Sequence, residues 1–312
     1  MPERQLRRVW SEAFKPNDEH LIPLPKVHDY RLVIIELVGT LTVASNNATS
    51  VPLDSPCGLV DRVDLVANGK DVLQAIPFVF PVMNNYEAGF TVNKTAPGVT
   101  QAAHPIRAVG FLDQFNQDGP RPKDSAFQAF LTQLFQLRLT TRDETQIITK
   151  GSAVLTLDVD VNIYVDSLVE VGKDRGEPKA FKKVTSQSQA FTGSNTGYAF
   201  DLPVGNQIRH VAIRATDDGV PDNDLIGDVS FKIDDTDTRA AIDFEVLRSV
   251  NQYDRDGAAP QTGFAVLDSS PEGKLSNAFD CSEASRAQLV VGVNTPGGTG
   301  EVEVVTTEYI LP

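Results

Sequence analysis

From residue 30 onward the chain is built on alternation between apolar and polar positions. Residues 32–43 form a long run rich in branched side chains, closed by a polar turn at 45–50. Residues 60–69 (Val-Asp-Arg-Val-Asp-Leu-Val-Ala-Asn-Gly) place Val63 and Leu65 on one face and end in Asn68-Gly69, the signal for a strand running into a tight hairpin. Residues 106–111, 136–140 and 154–165 continue the pattern; in the last, Leu155, Leu157, Val159, Val161 and Ile163 alternate cleanly. Further strands are expected at 197–202, 208–215, 225–233, 263–267, 287–293 and 301–310, with Pro296-Gly-Gly-Thr-Gly300 turning between the last two.

Two stretches follow the helical period instead. Leu6, Val9, Trp10, Ala13 and Phe14 fall at i, i+3, i+4, i+7 and i+8, which predicts a short amphipathic helix ended by Pro16. Phe127, Phe130, Leu131, Leu134 and Phe135 have the same spacing behind Ser125, a helix whose stripe belongs to a core. Residues 76–87 are apolar at irregular spacing and predict a short strand or helical turn. The polar segment 166–183, with Gly172, Gly176 and Pro178, is the best linker. The fold class expected is all-β: two tandem jelly rolls (β-sandwiches) with short helices in connecting segments and an N-terminal amphipathic arm. The boundaries expected are 1–28 for the arm, 29–170 for the first jelly roll, 171–186 for the linker and 187–312 for the second.

The two halves echo one another in order. Val60-x-x-Val63-x-Leu65 matches Ile208-x-x-Val211-x-Ile213, and Asn84-Asn-Tyr86 matches Asn251-Gln-Tyr253. Gly110-Phe111 matches Gly263-Phe264, and the closing strands end at Tyr164 and Tyr309. The separation stays between 145 residues (Tyr164 to Tyr309) and 167 (Tyr86 to Tyr253). Collinear matches with drifting offsets are what a duplicated domain shows after separate loop insertions.

Composition narrows the function. The 312 residues carry a net charge of −14, which repels nucleic acid and anionic lipid from most of the surface. Residues 1–15 depart from this, with Arg4, Arg7, Arg8 and Lys15 against Glu3 and Glu12. There is no secretory pattern at the start of the chain and no apolar run long enough for a membrane helix, so synthesis and folding in the cytoplasm are expected. Cys57 and Cys281 have no ligand or redox spacing and read as reduced, half-buried thiols. No nucleophile elbow, phosphate loop or dinucleotide fingerprint occurs, and the four histidines are dispersed. No catalytic residue and no cofactor is therefore expected. Asp217, Asp218, Asp222 and Asp224 are dense enough in oxygen to be weighed as a calcium site, although a solvated turn is the simpler reading in so acidic a chain.

The duplication, the strand followed by Asn-Gly and an apolar segment at 59–76, and Leu225-Ile-Gly-Asp-Val-Ser-Phe231 together resemble a known family. They are similar to the double jelly-roll major capsid proteins of tailless icosahedral viruses with an internal membrane, of the bacteriophage type. The resemblance implies a structural protein without catalytic residues. It implies homotrimers of pseudo-hexagonal outline that build an icosahedral shell around a membrane and genome, contacts with minor or vertex proteins, and no sequence-specific binding of nucleic acid. An arm directed at the membrane, or at a neighbouring subunit, would use Arg4, Arg7, Arg8, Trp10 and Phe14. The alternative is a β-sandwich carbohydrate-binding or spike-type surface protein, for which one Trp and six Tyr offer few aromatic platforms.

Overall fold

The computed structural model describes residues 3–52, 54–75, 86, 94–113, 127, 129, 132–169, 181–235, 237–254, 257–269 and 277–310. The chain divides into two compact units, Met1–Phe181 and Lys182–Pro312. The first contains β1 (Glu3–Ala13), β2 (Glu19–Pro23), β3 (Asp29–Ala44), β4 (Val60–Ala67), β5 (Lys70–Ala75), β6 (Lys94–Thr95), β7 (Ala103–Asp113), β8 (Phe135–Thr141) and β9 (Val154–Val169). Its sheets run β1-β9-β3-β7-β6 and β5-β4-β8-β2. The second contains β10 (Phe181–Phe191), β11 (Asn195–Leu202), β12 (Gln207–Asp217), β13 (Val220–Pro221), β14 (Ile226–Ile233) and β15 (Asp237–Asp243). Helix α1 (Phe244–Asp254), β16 (Phe264–Asp268), β17 (Phe279–Asp280), β18 (Ala287–Val293) and β19 (Gly300–Ile310) complete it. One of its sheets runs β10-β19-β12, with β13, β16 and β17 sharing the far side of β12; the other runs β11-β18-β14-β15.

Leave out the two-residue strands and number the rest within each unit. Both units then give sheets in the order 1-8-3-6 and 2-7-4-5. That is the double Greek key of an eight-stranded jelly roll, present twice. Each sandwich closes on the alternate positions that the sequence marks. Val33, Ile35, Leu37, Leu65, Val161 and Ile163 are buried in the first, and Val211, Ile213, Phe231, Leu289, Val291 and Val304 in the second. At about 1.5–3 kcal/mol for each fully buried aliphatic or aromatic side chain, these layers are the main source of stability in both units.

The strand order corrects the first echo. β4 is fourth in its unit and β12 third in the other, so residues 60–69 are the counterpart of β14 and the turn after it. The equivalence reaches individual atoms. Asn68 (φ 52°) opens the turn after β4 and Asp234 (φ 51°) the turn after β14. Asn68 Oδ1 accepts from the amides of Gln133 (2.7 Å) and Leu134 (3.1 Å), just before β8. Asp234 Oδ1 accepts from the amides of Ser285 (2.8 Å) and Arg286 (3.1 Å), just before β18. The amides of Asn68 and Asp234 in turn donate to Leu134 O and Arg286 O, both at 2.9 Å. The other three echoes fall in matched places: Phe111 and Phe264 on the sixth strands, Tyr164 and Tyr309 on the eighth, and Tyr86 and Tyr253 between the fifth and sixth.

Three expectations about local structure change. Residues 6–14 are not a helix: β1 pairs along β9 from Glu3↔Val169 to Ala13↔Asp160, with a bulge between Arg8 and Trp10. The bulge shifts the inward side by one residue, so an alternating strand acquires helix-like spacing. The expected helix at 125–135 ends instead in β8. Phe127 bridges Tyr30 and stacks on Phe135 at 5.0 Å, while residues 121–126, 128, 130 and 131 lie outside the described ones. Residues 181–186, expected as the end of a linker, open β10; residues 170–180 lie outside the described ones, as do 76–85.

Candidate functional site

Among the described residues, the features that stand out are buried charges on sheet faces. In each unit the last strand carries a carboxylate sunk to full burial and tied to a base on the first strand. Asp166 on β9 accepts from Arg4 Nε of β1 at 2.9 Å and from Arg31 Nε of β3 at 3.0 Å. Glu308 on β19 meets Lys183 Nζ of β10 at 3.2 Å and Asn206 Nδ2 at 2.6 Å. Asp64 on β4 is held the same way by Arg62 (2.7 Å) and Arg138 (2.9 Å). A buried carboxylate is tolerable when its charge is met, and each of these has a cation within 3.2 Å.

Beside Asp166, Glu36 on β3 accepts from Arg107 Nη2 (2.6 Å), Asn162 Nδ2 (3.2 Å) and Tyr164 Oη (3.0 Å). Asn162 Oδ1 accepts in turn from Ser11 Oγ (2.8 Å) and Arg8 Nη1 (3.4 Å). Partial burial and the bond to Glu36 raise the Tyr164 hydroxyl above tyrosine's usual value, so it stays a donor. The network crosses β1, β9, β3 and β7.

The residues expected to reach from an arm are found in this sheet. Arg4 and Arg8 bond to β9, as above. Trp10 meets the ring of His20 on β2 edge-on, with centroids 5.7 Å apart. Phe14 donates its amide to Val159 O at 2.7 Å. Arg7 is half-buried, and its charge acts on Tyr30, whose hydroxyl burial pushes well above the usual range. The residues that the sequence sets apart from the rest of the chain lie along a strand rather than on a free helix.

Three of the four aspartates weighed for calcium accept from backbone amides, and the fourth, Asp224, supplies one of those amides. Asp217 accepts from Gly297 N (2.6 Å) and Gly298 N (3.0 Å), Asp218 from Thr299 N (2.8 Å), and Asp222 from Asp224 N (2.9 Å). A side chain at Gly298 would lie 2.0 Å from Asp218 Oδ2, so the glycines at 297–298 are what lets the carboxylates fold over the turn. Among the described residues, no group of three or more His, Cys, Asp or Glu side chains gathers around a point where a metal could sit. Burial raises the thiol of Cys57 to about 12 and that of Cys281 to about 11.

Helix α1 was missed by the pattern reading. Asp243 caps it, accepting from the amides of Glu245 (2.9 Å) and Val246 (3.1 Å). Its buried face is Phe244, Leu247 and Asn251. Asn251 makes both hydrogen bonds that a neighbouring strand would make to Val266, Nδ2 to O and Oδ1 from N, each at 2.7 Å. Arg248 Nε adds a bond to Phe264 O at 3.2 Å, so the helix shields the edge of β16. A polar residue on the inward face dilutes the apolar stripe; the Asn251-Gln-Tyr253 echo was the one sequence signal at this place.

Two jelly rolls of identical strand order in one chain define a double jelly-roll protein. Solved structures with this fold match along nearly their whole length. The STIV MCP, from Sulfolobus turreted icosahedral virus, has a TM-score of 0.79 at 15% identity, with 99% of this chain and 97% of that one covered. The PBCV-1 virus capsid gives 0.67 at 12% identity (99% and 94%), and the major capsid protein of bacteriophage PM2 gives 0.63 at 11% (99% and 98%). At these identities the likeness is one of fold. No family model and no curated protein sequence matches the chain.

Proposed function

We propose that this chain is a structural subunit of a viral shell, a major capsid protein. One observation carries the reading: the two tandem jelly rolls are matched end to end, within a few percent of full length on both sides, by solved capsid proteins. Carboxylates that are buried and paired with cations from neighbouring strands suit a wall, whose work is to keep its shape. The chain would act in the virion after synthesis in the host cytoplasm.

In this reading the partner is first the chain itself, as a homotrimer of six-lobed outline, and then the lattice made by repeating it. Minor or vertex proteins and a membrane beneath the shell complete the set. Arg4 and Trp10 are engaged within the first unit, so lipid contact is no longer assigned to them. Light scattering on the purified protein tests the first step. A mass of three copies at micromolar concentration is expected, and a stable monomer would overturn it.

A further inference from the structure

The buried carboxylates on the eighth strands of the two units differ in what meets them. Asp166 is met by Arg4 and Arg31, delocalised guanidiniums that stay charged and are poor nucleophiles. Glu308 is met by a primary amine and a primary amide. Its side chain is fully buried; Oε1 lies 3.2 Å from Lys183 Nζ, and Oε2 accepts from Asn206 Nδ2 at 2.6 Å. Among the described residues no hydrogen-bond donor is aligned on Oε1, which leaves that oxygen open to a proton from the lysine.

The fold holds all three groups at one place. β19 lies between β10, which carries Lys183, and β12, which begins just after Asn206. Glu308 sits opposite Ile208 in the register of β19 and β12. The backbone around Asn206 is clamped: its carbonyl accepts from Cys281 N at 3.1 Å, and Gly205 N donates to Cys281 O at 2.9 Å. Lys183 is the movable member, 29% exposed at the side chain and carried on a flexible four-carbon stem. An amine and a carboxamide held against one water-excluded carboxylate have the parts that amide exchange needs: a nucleophile, an electrophilic carbon and a proton carrier.

We infer that Lys183 and Asn206 join in an intramolecular isopeptide bond, with Glu308 carrying the protons. Glu308 Oε1 takes a proton from the lysine ammonium, and the freed Nζ lone pair attacks Asn206 Cγ. The Nζ–Cγ bond forms as the carbonyl electron pair moves onto Oδ1. Glu308 then protonates Nδ2, the Cγ–Nδ2 bond breaks, and the carbonyl re-forms. Glu308 takes the surplus proton from Nζ and passes it to the departing ammonia. One ammonium ion leaves, Glu308 ends as the carboxylate it began as, and nothing is oxidised or reduced. The new amide N–H remains as a donor to Glu308, so the buried charge keeps a partner. The bond closes residues 183–206 into a covalent loop and fixes the first strand of the second unit to the start of its third, whether or not copies of the chain assemble.

The test is the intact mass of the full-length protein, unfolded in denaturant after several days at neutral pH. The wild type is expected one ammonia lighter than its sequence mass, and a protease digest should show the peptides holding Lys183 and Asn206 as one branched species. Lys183→Arg keeps a cation on Glu308 but removes the nucleophile; Glu308→Gln keeps the shape but removes the proton carrier. Both variants are expected at their full sequence mass, and Lys183→Arg is expected to melt several degrees below wild type. The wild-type mass needs no variant to fold, so a wild type at full sequence mass overturns the inference by itself. A loss of ammonia that persists in Lys183→Arg also overturns it, because the loss then comes from an asparagine closing on its own backbone, with Asn68-Gly69 the first place to look.

Discussion

At the scale of single residues, the most informative pair is Asn68 and Asp234. They do the same work in the two jelly rolls, each tying a hairpin turn to the amides before the seventh strand. One is neutral and one is charged, so they separate by pH. Asn68→Ala should lower stability by roughly 1–2 kcal/mol, the value of two ordinary hydrogen bonds, about equally at pH 4 and pH 7 in urea titrations. The bonds from Ser285 and Arg286 hold the Asp234 carboxyl below its ordinary value. Its contribution is therefore complete above the unfolded value of about 3.9 and disappears as pH falls through the lower folded value. Asp234→Asn should shrink the acid-induced loss of stability in the second unit; an unchanged acid limb would contradict this assignment. Asn251 offers a second test. Replacing it with Ala leaves Val266 N–H and C=O buried and unmet, which should cost about 2–4 kcal/mol and, by baring the edge of β16, increase aggregation on heating. Both thiols, raised by burial, should resist alkylation at pH 8 until the protein is unfolded.

At the scale of elements, β1 shows both the reach and the limit of pattern reading. Its composition separates it from the rest of the chain, and the residues picked out there do bear on the structure. What periodicity could not reveal was the bulge after Arg8, which turns an outward Leu6 and an inward Trp10 into apparent neighbours on a helix face. The same limit hid β10, whose Lys-Lys-Val-Thr-Ser-Gln-Ser-Gln run is too polar to announce a strand. By contrast β4, β9 and β18 were plain, because burial on one face forces strict alternation. Since β1 is the first strand of a sandwich rather than an appendage, deleting residues 1–15 should do more than impair assembly. It removes Arg4 from the buried Asp166 and bares the edge of β9. Low soluble yield and a melting temperature reduced by several degrees are expected; a soluble, wild-type-like melt would show that β1 is dispensable.

At the scale of the whole molecule, duplication was legible because burial patterns repeat in order even when few residues are shared. The exact alignment was not. A strand pattern such as Val-x-x-Val-x-Leu recurs on any core strand, and only the pairing order shows that β4 answers to β14 rather than β12. Which side of a sheet a residue takes was equally hidden, since a half-buried Val38 and a core Val161 look alike in a sequence; register alone separates them.

The most direct test of the shell reading is an electron micrograph of the purified full-length protein at micromolar concentration. Three-copy particles with a six-sided outline, two jelly rolls contributed by each copy, are the predicted image; isolated single chains throughout the field would contradict it.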